Sequence, residues 1–314
     1  SFLPVYPLVM SASDPSLAVA AGAKTHGVAF VLGATLCWST SGILLRIIDV
    51  SEWTAVFWRS SFLALAMTAY VLWRYRSRAP QAVRALGISG VVVAALIAAT
   101  FILYVMAISL TLVANALVLM SAAPLVAASF GWLLLGERPR IHTVMALAVA
   151  SGGVLVMLLG PREAAFAGTA RLGDLLALGV ALCFGLAIVL MRRAKHVDMV
   201  PAMGLAGVFA ALAALPFAAL ASPSPTDFAL LAGMGVFQLA LGFLLFARGA
   251  PLLTPAEVGL LTLVEVVISP LWVWIGVGEV PGQTTFLGGG IILGALVVHS
   301  AYGIRRSKPP VGMA

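Results

Sequence analysis

Thr262, Glu265, Ser269 and Trp272 fall on one face of a helix and form a polar and aromatic stripe inside an apolar run, Ala256–Val277. The run is long enough to cross a bilayer, which takes about 20 apolar residues. A carboxylate at mid-bilayer costs roughly 2.5–3.5 kcal/mol on insertion scales, so Glu265 must face protein or a watery cavity. There it can bind the amino group of a substrate or carry a proton. The other reading is a structural carboxylate that pairs with an arginine or caps a broken helix. Pro270 withholds a donor from the carbonyl of Val266, which predicts a helix break one turn beyond Glu265. Glu257, in the first turn of the same run, reads as a charge that stabilises a helix N-terminus.

Further polar and aromatic residues interrupt other apolar runs. Trp38 opens the segment Trp38-Ser39-Thr40-Ser41-Gly42, and Phe184 holds the corresponding place later in the chain. Tyr104 and Phe246 make a second such pair. Aromatic rings at this depth suit stacking on an aromatic or apolar substrate, or plain packing. Arg59 can attract a substrate carboxylate or join an internal ion pair, whereas Arg248 sits closer to a span end and can snorkel to water. Asn115 and Gln238 suit interhelical hydrogen bonds or a cavity wall. Pro124 predicts a second helix break. Trp53, Trp58 and Trp73 lie near span ends and read as interface anchors.

The elements that position these residues follow from composition. The chain has 314 residues, 62% hydrophobic and only 9% charged, with a mean hydropathy of +1.12. Soluble domains are about 25% charged, so this is an all-α, polytopic membrane protein. Its net charge of +7 lies in loops between apolar runs and sets orientation; it does not point to nucleic acid. Ten spans emerge, at about 27–48, 54–73, 85–107, 112–134, 141–160, 173–192, 200–221, 228–249, 256–277 and 284–304. With the N-terminus inside, one side collects Lys24, Arg74, Arg76, Arg78, Arg84, Arg138, Arg140, Arg192, Arg193, Lys195, Arg305, Arg306 and Lys308. The other collects Asp49, Glu52, Glu163, Asp174, Asp227 and Glu279 with only Arg162 and Arg171. This alternation places both termini in the cytoplasm. Residues 1–23 lack the order of a signal peptide, because Lys24 follows the apolar part.

The chain also repeats itself. Thr111–Glu137 aligns with the run through Glu279 on a shared Gly-Glu ending. Ala114 meets Ala256, Leu119 meets Leu261, Trp132 meets Trp274, Phe101 meets Phe243 and Leu103 meets Leu245. Leu36-Cys37-Trp38 matches Leu182-Cys183-Phe184 near the start of each half. The divisions are a tail (1–26), a first repeat (27–160), a linker (161–172), a second repeat (173–304) and a tail (305–314). Five spans per repeat make the two halves inverted, related by a two-fold axis in the membrane plane. Secondary transporters are built this way, with the substrate site between the halves.

At this point the chain resembles the drug/metabolite transporter superfamily, in its ten-helix form of two EamA-type repeats, over about residues 25–305. The resemblance rests on Ala34-Thr35-Leu36-Cys37-Trp38, Gly179–Phe184, Arg59, Pro124 with Gly136-Glu137, Glu265 and Gly278-Glu279. The family usually has a proline directly after the equivalent of Glu265. Here Val266 stands there and Pro270 comes later. The resemblance implies a secondary carrier in a bacterial inner membrane that exports small metabolites by alternating access, most often amino acids, aromatic ones included. Its cavity would be lined by the first, third, fourth, sixth, eighth and ninth spans. Sugar-phosphate carriers would need clustered buried cations, and only Arg59 and Arg248 are on offer.

The alternatives are an exporter of cationic drugs or other metabolites, and a non-transporting assembly component. No phosphate-binding loop, nucleophile elbow or metal-ligand spacing occurs, so no enzyme, cofactor or metal is expected. Cys37 and Cys183 read as small packing residues. The small residues of Gly288–Ala295 suit close helix packing, within the monomer or in a homodimer. His299 reads as a packing residue of the same helix.

Overall fold

The computed structural model describes residues 15–136, 141–159, 168–194, 197–221, 223–253 and 255–307. Every regular element among them is helical, because only a helix satisfies a lone apolar segment's backbone inside a bilayer. The first span is α1 (Pro15–Ser39) and α2 (Ser41–Ile47), and the second is α3 (Glu52–Tyr75). A short α4 (Ala79–Arg84) leads to the third, α5 (Gly87–Leu110). The fourth is α6 (Val113–Met120) with α7 (Ala123–Leu135), the fifth α8 (Ile141–Leu159), the sixth α9 (Ala170–Arg193) and the seventh α10 (Val200–Ala214). The eighth comprises α11 (Pro225–Gly233), a π-helical segment Met234–Leu241 and α12 (Gly242–Gly249). The ninth is α13 (Pro255–Val277) and the tenth α14 (Gln283–Ser307).

Among the described residues, seven helical stretches are long and apolar enough to cross a membrane, and three shorter apolar helices complete the ten spans. The chain is a ten-helix, multi-pass membrane protein. Helix α1 starts at Pro15, ahead of the expected position 27, because an alanine-rich stretch carries the helix beyond the apolar run. Much of the 161–172 linker, Glu137 and parts of both tails lie outside the described residues.

The packing follows the repeats. The first span lies along the eighth and ninth, and the sixth lies along the third and fourth. The second packs on the seventh and the fifth on the tenth. Each helix thus meets partners that its repeat mate meets in the other half, as a two-fold relation requires. Two apolar clusters result, one around α3, α5, α10 and the eighth span, the other around α6, α8, α13 and α14. Leu45 and Tyr104 pack against both clusters, so the seam between them runs past Tyr104.

The repeated Gly-Glu ending has a backbone reason. Gly136 and Gly278 follow α7 and α13 with φ of +69° and +74°. This left-handed conformation ends a helix and strongly favours glycine. The two prolines behave differently. The fourth span breaks at Ser121-Ala122, and Pro124 sits in the first turn of α7, where proline is tolerated. At Pro270 the expected break does not occur: α13 runs through as one helix. Loss of a single intrahelical bond is not enough to part a helix whose flanking residues, Val266, Ser269 and Val273, are packed and buried.

Candidate functional site

The first span is interrupted at Thr40, where its hydroxyls turn back on their own helix. Thr35 Oγ1 donates to Val31 O, Ser39 Oγ to Leu36 O and Thr40 Oγ1 to Cys37 O, each at 2.8 Å. Such bonds compete with the helix and bend it, and the turn at Thr40 separates α1 from α2. Just before that turn Trp38 reaches the eighth span. Its ring centroid lies 5.4 Å from Phe243, edge to face, and 5.4 Å from Phe246. Phe101 of α5 continues the wall, 6.0 Å from Phe243. The indole packs on Gly242, where a Cβ would overlap it, 2.8 Å from Cδ1.

Glu265 lies deep in the protein and still keeps accessible surface, as does Tyr104. That combination places a carboxylate and a phenol in the interior without sealing either of them off. No hydrogen bond or ion pair reaches the Glu265 carboxylate among the described residues. The Tyr104 hydroxyl lies beside Ser41 without a well-formed hydrogen bond and within electrostatic reach of Glu265 and Arg59. Trp38 Nε1 also has no protein partner. Unpaired buried groups of this kind cost about 1–3 kcal/mol each. One of them, the Tyr104 hydroxyl, lies by the carboxylate and the other, Trp38 Nε1, belongs to the aromatic wall; a carboxylate and aromatic rings are the composition of a site for a cation with an apolar body.

The remaining candidates divide. Arg59 is 1% exposed. Its Nη2 donates to Phe101 O at 3.3 Å, and its guanidinium lies 5.9 and 5.7 Å from the Phe101 and Tyr104 ring centroids. It is sealed behind the wall and braces Tyr104. Asn115 accepts from Thr285 Oγ1 and ties α6 to α14, so its carbonyl is spent on helix packing. Ser269 is buried against Gly42 of α2, its hydroxyl without a partner. Trp272, 44% exposed, donates from Nε1 to Ser39 Oγ at 3.3 Å and ties α13 to the interruption of the first span. Phe184 is half-buried and packs on the α3–α5 cluster. Gln238 occupies the π-helical segment with a buried Oε1 that has no partner. Such segments recur at functional sites. Thr262 is half-buried. Near the other end of α13, Glu257 pairs with Lys24 at 2.5 Å.

Ser41, Gly242 and Phe243 were not singled out by sequence reasoning. Phe243 was visible as the repeat mate of Phe101, and Ser41 as part of the polar interruption; Gly242 gave no signal beyond its size. Arg46 was also missed.

Comparison with known proteins agrees with this architecture. A crystal structure superposes with a TM-score of 0.61 at 19% sequence identity, covering 90% of this chain and 99% of its own. That likeness shows the fold. No curated protein matches the chain. The model of the EamA-like transporter family matches twice, over residues 25–159 and 171–301. Those two matches take in Trp38, Tyr104 and Glu265, and so the chain belongs to the EamA-like transporter family, membrane carriers of small molecules.

Proposed function

We propose that the protein exports small organic molecules carrying a protonated nitrogen and an aromatic or apolar body, amino acids among them. The observation that carries this reading is the Glu265 carboxylate, which meets no hydrogen-bond or ion-pair partner among the described residues and lies within electrostatic reach of Tyr104, in a fold whose first and eighth spans bring Trp38, Phe243 and Phe246 together. Glu265 would hold the ammonium group by a charge-assisted hydrogen bond, and the rings would cover the body of the substrate. The repeats, 27–160 and 173–304, would rock about this seam to expose it to each side in turn. The excess of lysine and arginine on one side supports a bacterial inner-membrane location with both termini cytoplasmic.

Amino acids enter through the family resemblance. A second substrate reading, organic cations without a carboxylate, is favoured by the burial of Arg59, which takes that cation away from a substrate carboxylate. Flux into proteoliposomes separates them. An aromatic amine and the amino acid of the same ring, such as 2-phenylethylamine and phenylalanine, are compared with a neutral analogue. Saturable flux of either charged compound, and none of the neutral one, is expected. Equal flux of all three would remove Glu265 from recognition.

A further inference from the structure

At the end of the molecule that the proposed orientation makes extracellular, five span ends are tied together. Arg46, in the last turn of α2, donates from Nε to Glu279 Oε2 at 2.8 Å and from Nη2 to Thr111 O at 2.8 Å. The other carboxylate oxygen of Glu279 accepts from Val113 N, at the start of α6, at 2.6 Å. Thr111 Oγ1 donates to Asp174 Oδ1 at 2.9 Å, which brings in the N-terminal part of α9. Thr169 Oγ1 donates to Leu110 O at 3.1 Å beside it. Arg46, Thr111 and Val113 lie within the residues of the first family match; Asp174 and Glu279 lie within the second. The bonds of Glu279 to Arg46 and to Val113 N, and that of Thr111 to Asp174, therefore cross between the halves, while the Arg46 bond to Thr111 O lies within the first.

Helix α2 is the piece best placed to move. It has seven residues, is parted from α1 by the turn at Thr40, and begins at Ser41 beside Tyr104. Its far end holds Arg46. Gly42 packs on Val113 and Ser269, so α2 lies over the seam. The Arg46–Glu279 pair is mostly buried, at 17% and 13% side-chain exposure, and each partner also bonds backbone of the third-to-fourth-span connection.

We infer that α2 is a hinged outer gate and that Arg46 with Glu279 is the latch that holds it shut over the site. The inference rests on the transport reading above, since alternating access requires that contacts crossing the halves on one side break in each cycle. It also gives a reason for the Gly278-Glu279 ending: the left-handed glycine turns the chain so that Glu279 reaches the start of α6.

The test needs no substrate. Ser41→Cys is introduced into protein carrying Cys37→Ala and Cys183→Ala, and the purified protein in sealed proteoliposomes is labelled from either side with a membrane-impermeant maleimide. Arg46→Gln and Glu279→Gln are each expected to speed labelling from the Glu279 side about tenfold, the scale of one lost charge-assisted hydrogen bond. Labelling from the Lys24 side should not rise. Arg46→Lys keeps the charge, loses the bond to the Thr111 carbonyl and should give a smaller acceleration, which keeps the test open if a glutamine variant does not fold. Elution profile and melting temperature report folding. Unchanged labelling in every folded variant overturns the latch. Latch-dependent labelling without solute flux would sink the transport reading alone.

Discussion

Gly242→Ala tests the aromatic wall. An alanine Cβ at this position would stand 2.8 Å from Cδ1 and 3.2 Å from Cε2 of Trp38 and closer still to the indole nitrogen. Real Cβ contacts do not fall so short, so the indole must retreat by about 1 Å. It has little room, because Phe243 and Phe246 hold it at 5.4 Å centroid separations. Overpacking of this kind costs about 1–3 kcal/mol. The better helix propensity of alanine returns about 1 kcal/mol, leaving a net loss of roughly 0–2 kcal/mol in stability. Binding should suffer more clearly, since a displaced wall loses stacking worth about 0.5–2 kcal/mol, or a two- to thirtyfold rise in KM. The assay is substrate flux in proteoliposomes with thermal unfolding of the same samples. A double-mutant cycle with Trp38→Ala isolates the contact and should give a coupling energy above about 0.5 kcal/mol. Additive effects of the two changes, or an unaltered KM in Gly242→Ala, would refute the packing of Trp38 on Gly242 as the base of the site.

Two further expectations follow from the burial pattern. Asn115→Ala should lower stability by about 1 kcal/mol, the worth of an interhelical hydrogen bond, and leave KM within threefold; a large KM effect would return Asn115 to the cavity wall. Arg59→Met should fold about as well as the parent, because a buried cation without a carboxylate partner exchanges well for an apolar chain of similar volume. Its KM should rise only through a loosened Tyr104, by less than about tenfold; a loss of flux greater than that of Glu265→Gln would show that Arg59 touches substrate directly.

Much of this architecture was legible in the sequence because a bilayer leaves few options. Apolar runs of bilayer length fold as helices, and the observed spans agree with the expected ones to within a few residues, apart from the longer α1 and the shorter seventh span, whose α-helix ends at Ala214 instead of 221. Glu265 was legible for the same reason, since a carboxylate in such a run needs an explanation. What could not be read is set by contacts between distant segments. The π-helical segment Met234–Leu241 has an ordinary apolar sequence. Its Gly235 sits on the backbone of Arg59, where a Cβ would come within 2.6 Å of the carbonyl oxygen. Arg59 itself was ambiguous, because sequence does not say whether a cation faces a cavity or is sealed behind one. Arg46 was overlooked since it lies at a span end, and its partner Glu279 is 233 residues away. Pro270 shows the opposite error: a strong local rule was overridden by a packed helix on either side of it.

Flux of a labelled aromatic amine or amino acid into proteoliposomes, parent protein against Glu265→Gln, asks whether the carboxylate holds the substrate. The variant preserves shape and removes the charge that would hold the substrate ammonium. A charge-assisted hydrogen bond is worth about 1.5–3 kcal/mol, so the rate at low substrate concentration should fall roughly ten- to 150-fold while melting temperature stays the same or rises. Undiminished saturable flux in folded Glu265→Gln protein would contradict the account.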